Sequence, residues 1–160
     1  MTVDPLIRPY RPEDASAVRD CVTELQEFER VLDPRLRPGQ AIADDLCERM
    51  HARCREAEGR LFVAEQDGTV VGFVCVLARE PFTDLDDPPG TYALVTDLVV
   101  LAPWRSRGIG RRLLESAEAF ARSKGARELR IGVLSRNLAA RRLYLAAGFE
   151  PHSETFEKRW

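Results

Sequence analysis

Arg105-Ser106-Arg107-Gly108-Ile109-Gly110 decides how this chain is read, because of where it sits. It follows an apolar run, Leu98-Val99-Val100-Leu101, and opens a segment with helical periodicity. A strand, a glycine-bearing turn and a helix start, in that order, leave main-chain N–H groups unpaired and aimed at one spot. The positive end of the helix dipole lies behind them. Glycine at positions 108 and 110 lets an anion approach the main chain without meeting a Cβ. Two glycines alone would serve equally well in a tight turn with no ligand, so the surrounding charge carries the decision. Between Trp104 and Arg142 stand eleven Arg or Lys and three Glu, a local balance of plus eight, in a chain whose formal net charge is −2. A basic segment around an anion-shaped turn, inside a mildly acidic protein, favours a polyanionic small ligand. It disfavours nucleic acid, whose binding domains are basic overall.

Neither common phosphate loop fits. A Walker loop ends in Gly-Lys-Ser/Thr, and here Gly110 is followed by Arg111-Arg112. A dinucleotide fingerprint needs a third glycine where Leu113 stands. Glu128 lies near the distance of a ribose-binding acid, but about fifty residues after the turn are too few to complete a doubly wound domain.

The turn does resemble the pyrophosphate loop of the GNAT N-acetyltransferase superfamily, Gln/Arg-x-x-Gly-x-Gly/Ala, matched by Arg105, Gly108 and Gly110. The resemblance continues in a second signature, Asn137-x-x-Ala140-x-x-Leu143-Tyr144-x-x-x-Gly148-Phe149. It directly covers about residues 91–149, and Ile7-Arg8-Pro9-x-x-Pro12-Glu13-Asp14-Ala15 is similar to the family's opening strand and helix start. The resemblance implies an α/β fold: one N-acetyltransferase domain over residues 1–160, with a mixed central sheet flanked by helices. Two neighbouring parallel strands, Tyr92 to Leu101 and Glu128 to Val133, would splay apart to hold acetyl-CoA. Main-chain groups of Leu98, Val99 and Val100 would pair with the pantetheine arm. Arg105, Arg107, Gly108, Ile109, Gly110 and Arg111 would receive the pyrophosphate.

Length and composition agree with a single core. A chain of 160 residues has little room for a second domain, and 44% hydrophobic with 31% charged residues is ordinary for a soluble globular protein. Asp4, Pro5, Arg8 and Pro9 break any N-terminal apolar stretch, and no run approaches a membrane span. The expectation is a cytoplasmic protein without nucleic-acid or membrane partners, a homodimer being left open. Cys21, Cys47, Cys54 and Cys75 lack the spacing of a disulfide framework and read as reduced thiols. Cys47, His51 and Cys54 would share one helix face but lack a fourth ligand, so no metal is expected.

The elements read coarsely as a strand at Leu6 to Tyr10, a helix capped by Asp14, and a second helix from about Gln40 to Glu58. Leu61 to Glu65 and Val70 to Ala78 flank Asp67-Gly68 as a hairpin. The central strand from Tyr92, a helix ended by Gly125, the strand at Leu129 to Val133 and a helix begun at Asn137 follow. Phe149 and Thr155 to Trp160 read as final strands.

Acetyl transfer requires a neutral amine, a polarised thioester carbonyl and a stabilised leaving thiolate. Main-chain N–H groups near Val100 suit the second requirement. By resemblance Tyr144 donates to the CoA sulfur, and a core aromatic is the other reading of that residue. Asn137 reads either as a cofactor contact or as a plain N-cap. The family's usual glutamates fall on Leu94 and Gly132, which accept no proton, so Asp97 becomes the candidate base, against a structural carboxylate. Two function classes follow: an acetyl-CoA-dependent N-acetyltransferase acting on a primary amine, small-molecule or protein, and a non-catalytic acyl-CoA-binding domain. Tyr144 favours the enzyme. Residues 1–80 carry sixteen acids against eleven bases, with Asp84, Asp86 and Asp87 following, so a cationic acceptor is expected if these acids line its site.

Overall fold

A computed structural model describes residues 4–160. Five strands form one sheet in sequence order: β1 (Leu6–Pro9), β2 (Arg60–Gln66), β3 (Thr69–Pro81), β4 (Thr91–Val100) and β5 (Leu129–Ile131). All neighbours are antiparallel except β4 and β5, which run parallel. Four helices cover it: α1 (Ala15–Leu32), α2 (Gly39–Glu56), α3 (Ile109–Ser123) and α4 (Leu138–Ala146). Among the described residues no helix is long and apolar enough to cross a membrane.

Side-chain alternation sorts the strands onto two cores. On one face Val18, Cys21 and Val22 of α1 and Ala43 and Met50 of α2 meet Leu61, Val63, Phe73, Cys75, Leu77 and Val99. On the other, Ile109, Leu113, Leu114, Ala117 and Phe120 of α3 meet Ala64, Val71, Val74, Val76, Ala93 and Val95. β3 is buried along most of its length because both layers close over it, and each fully buried side chain such as Phe73 or Leu77 contributes about 1.5–3 kcal/mol. Gly72 is required by the sheet itself: a Cβ there would lie 2.4 Å from the Val99 carbonyl oxygen of β4. The β2–β3 hairpin turns through Asp67 (φ +50°) and Gly68 (φ +77°), both left-handed as a two-residue hairpin demands.

A bulge in β4 matters most for function. Cys75 pairs with Asp97 and Val76 with Val95, which leaves Thr96 without an opposite residue on β3. The bulge inverts the alternation of β4. Ala93 and Val95 face the α3 layer before it, and Leu98 and Val100 face that layer after it.

Two details differ from the sequence reading. Asp14 stands at the N-cap position of α1 but its side chain does not cap the helix: it closes a short 3₁₀ turn (Pro12–Asp14), and its carboxylate is taken by Arg8 and by the Arg11 N–H. On α2, where no metal is expected, Cys54 Sγ lies 3.5 Å from Cys75 Sγ and His51 stacks on Tyr10. The final strands do not form. Residues 149–160 carry no regular structure, and Phe156 and Trp160 stand exposed. Glu157 of this tail pairs with Arg159 and Arg35 instead of presenting a ladder edge.

Candidate active site

β4 delivers the chain into the glycine turn. After a 3₁₀ turn at Ala102–Trp104, Ser106 (φ +61°) and Gly108 (φ +77°) both adopt the left-handed conformation, which folds the backbone tightly before α3. The first backbone bond spanning a helical turn is Arg112 N–H to the Gly108 carbonyl at 3.2 Å. Helix geometry leaves the N–H groups of Ile109, Gly110 and Arg111 ahead of it without a helical acceptor. The two glycines have different reasons to be there. A Cβ on Gly108 would meet nothing, so its role is the positive φ; a Cβ on Gly110 would come within 3.1 Å of Leu143 Cδ2 and 3.8 Å of Val100 Cγ2. Gly110 therefore lets α3, α4 and β4 converge.

The arginines of the turn divide. Arg107 lies over the Trp104 ring at 4.9 Å and Arg111 bonds Glu115, both on the surface of the turn. Arg105 turns back toward β4 and α1: its Nε donates to the Val100 carbonyl (2.8 Å), Nη2 meets Glu24 (3.3 Å), and its plane covers Phe28. Its side chain braces the turn. Arg112, which sequence reasoning did not single out, has a buried Nη1 with no partner among the described residues.

β4 and β5 separate beside this turn. Pairing covers only Ala93–Val95 against Leu129–Ile131. From Thr96 to Val100 the edge of β4 facing β5 has no strand partner, and Gly132, just past β5, has open space where a Cβ would be. The expected splay is thus present, and it begins at the bulge.

Three ionisable side chains, on β4, α4 and α1, are linked electrostatically through Glu29. Asp97, on β4, is desolvated enough that burial pushes its carboxyl above the usual aspartate range, against a 2.7 Å bond from Thr96 Oγ1 and the charges of Arg49 and Arg53. It borders a cavity of about 100 Å³ shared with Val22, Leu46, Arg49, Met50, Arg53 and Thr96. Tyr144, on α4, packs with the α3 layer and against Phe149; burial and then the charge of Glu29 push its phenol up to about 12. It stays protonated at neutral pH, as a proton donor must. Glu29, on α1, is half-buried, and burial followed by the Asp97 charge raises its carboxyl. Asn137 Oδ1 accepts from Ala140 N–H at 3.1 Å, which makes it the N-cap of α4. Of the other acids on or just after α1, Glu24 holds Ala102 N–H and Arg105, Glu27 holds Gly39 N–H and Arg30, and Asp33 holds Arg35.

Residues 21–149 match the acetyltransferase (GNAT) family. The chain is 31% identical over 109 residues to an aminoglycoside N(6')-acetyltransferase type 1 of Stenotrophomonas maltophilia, covering 68% of this chain and 71% of that one. It is 27% identical over 151 residues to the thialysine N-epsilon-acetyltransferase of Bos taurus, covering 93% and 86%. Its fold matches the aminoglycoside N-acetyltransferase AAC(6')-Iy, solved with a bisubstrate analogue of CoA and acetylneamine, with a TM-score of 0.71 and 20% identity over 99% of both chains. The chain belongs to the GNAT acetyltransferase family. It is an N-acetyltransferase of that family.

Proposed function

We propose that this chain transfers the acetyl group of acetyl-CoA to a primary amine by direct attack, with both substrates bound together. The observation that carries the reading is the edge of β4 from Thr96 to Val100, which has no strand partner toward β5 and leads from the glycine turn to the ionisable group at the bulge. An extended amide-bearing arm fits that edge as a replacement strand, and the N–H groups of Ile109, Gly110 and Arg111 fit its pyrophosphate. Bound there, acetyl-CoA supplies a thioester at the bulge.

The chain's residues divide the remaining tasks. Main-chain N–H groups after the bulge polarise the thioester carbonyl as charge develops on its oxygen. Tyr144 holds a proton for the departing sulfur. Asp97 serves as the proton acceptor through water, for which the adjoining cavity of about 100 Å³ has room. Holding amine and thioester together supplies much of the rate.

The acceptor is read as a small cationic amine. The two curated relatives are named for acetylation at nitrogen of an aminoglycoside and of thialysine. If the cofactor lies along β4 from the turn to the bulge, the acceptor enters from the other end of β4. The acidic loop with Asp84, Asp86 and Asp87 lies at that end. We take residues 1–160 as one catalytic unit, and assign it to the cytoplasm in keeping with its four free thiols.

The test is release of free CoA from acetyl-CoA over a panel of amines: kanamycin, spermidine, a lysine peptide and an acidic amino acid. Saturable release with a basic amine is expected. Binding of acetyl-CoA with no release by any amine would sink the enzymatic reading.

A further inference from the structure

We infer that Glu29 is the acceptor-side carboxylate of this site: it seats the incoming ammonium group and takes its proton first, ahead of the water-mediated acceptor Asp97. The inference rests on the acetyl-transfer reading above and deepens it.

Two observations carry it. The first is pairing. Every other acid on α1 from Glu24 onward, and Asp33 just beyond, is held by a named N–H or guanidinium group, whereas the Glu29 carboxylate has no hydrogen bond or ion pair among the described residues. A half-buried carboxylate without a partner costs free energy that a bound cation would recover. Asp97 differs in having a partner: the Thr96 hydroxyl donates to it and the charges of Arg49 and Arg53 of α2 offset part of its burial.

The second observation is position. Glu29 follows Phe28, which lies under the Arg105 guanidinium at 5.1 Å, and precedes Leu32, whose carbonyl accepts from Arg136 Nη1 at 3.4 Å. The last turns of α1 thus lie between the end of β4 and the loop leading to α4. From there Glu29 is in electrostatic reach of both Asp97 and Tyr144. Glu29 of α1 therefore stands between the ionisable group of β4, which borders the α2-side cavity, and that of α4, which packs with the α3 layer. Sequence alone leaves Glu29 as one acid among several on a helix.

The chemistry balances without any further reagent. R–NH3+ gives one proton to the Glu29 carboxylate and becomes R–NH2. Its lone pair forms the C–N bond to the thioester carbonyl carbon as the C–S bond breaks. The sulfur takes the Tyr144 proton, Tyr144 regains one from the nitrogen, and Glu29 returns its own to solvent. One ammonium and one thioester give one amide, one thiol and one proton. Burial and the neighbouring Asp97 charge make Glu29 a stronger base than an ordinary glutamate.

The experiment compares wild type, Glu29→Gln and Glu29→Asp. Acetyl-CoA affinity is measured by calorimetry, and kcat and KM are measured across pH with kanamycin and spermidine. The groups facing Glu29 are Asp97 from β4 and Tyr144 from α4, with Arg105 and Arg136 near the ends of its helical segment. The expected result for Glu29→Gln is a fall in kcat/KM of about tenfold or more at neutral pH, loss of the acid limb of the profile, and unchanged acetyl-CoA affinity. Glu29→Asp should recover part of the rate. Wild-type kcat/KM in Glu29→Gln overturns the assignment, and so does a parallel loss of acetyl-CoA affinity, which would make the residue structural. A wild type that binds acetyl-CoA and acetylates no amine brings down the acetyl-transfer reading itself, an outcome distinct from both.

Discussion

Tyr144 carries the sharpest expectation for a single residue. Its ring packs in the α3 layer, so Tyr144→Phe preserves the packing and deletes only the donor. Turnover should fall by about 10²-fold with acetyl-CoA affinity intact. Unchanged turnover in the chemistry-limited regime would return the residue to a packing role. Asp14 supports a stability expectation of the opposite kind. Arg8 binds its carboxylate through two nitrogens at 2.7 and 2.8 Å and also reaches Glu65, tying β1, the 3₁₀ turn and β2 together. The Arg8 hydrogen bonds hold the Asp14 carboxyl below the ordinary aspartate value. A depressed value gives stability that is complete above the unfolded value, near 3.9, and is lost as pH falls through the folded one. Asp14→Asn should cost about 2 kcal/mol at pH 7 and flatten the acid side of the stability curve. Denaturant melts of equal midpoint at pH 7 would refute this.

At the scale of elements, the turn and α3 are the proposed anion seat, and Gly110 is its most sensitive position. Gly110→Asp brings a Cβ to within 3.1 Å of Leu143 and a negative charge to the helix start. Acetyl-CoA affinity should drop at least tenfold, about 1.4 kcal/mol, in a folded protein; an undiminished isotherm would dismiss the turn as the cofactor site. This element was legible in the sequence because glycine spacing and helical periodicity are local. The β4 bulge was not, since it exists only in the register between Cys75 and Asp97 on two strands. Asp14 was misread as a cap because its true partner, Arg8, reaches it from another element. The alternation from Thr155 to Trp160 resembled a strand, yet its charges pair within the tail and with Arg35, and nothing covers Phe156. Alternation predicts a strand only where a layer waits to receive it.

Across the whole molecule, charge is divided along the direction of β4. The basic turn lies at its end and the acidic loop at its start, with Asp97 and Glu29 between. Such a division should guide a polycation toward one end and a polyanion toward the other. The kcat/KM for spermidine should fall as ionic strength rises from about 0.01 to 0.5 M, where the screening length shrinks several-fold. Replacing Asp84, Asp86 and Asp87 together by Asn should lower it about threefold at low salt and leave it unchanged at high salt. Rates independent of salt and of those three residues would remove steering from the account. So would a clear preference for an acidic amine.

The stack of Arg107 on Trp104 has an optical consequence. The chain has two tryptophans, and the other, Trp160, is fully exposed at the end of the tail. Trp160 is therefore open to a collisional quencher such as iodide, while Trp104 sits half-sheltered beneath a guanidinium at the mouth of the turn. An anion that draws Arg107 away changes the surroundings of that indole. With Trp160 replaced by Phe, the protein carries one tryptophan, beside the proposed pyrophosphate seat, and its emission should follow cofactor occupancy without any label.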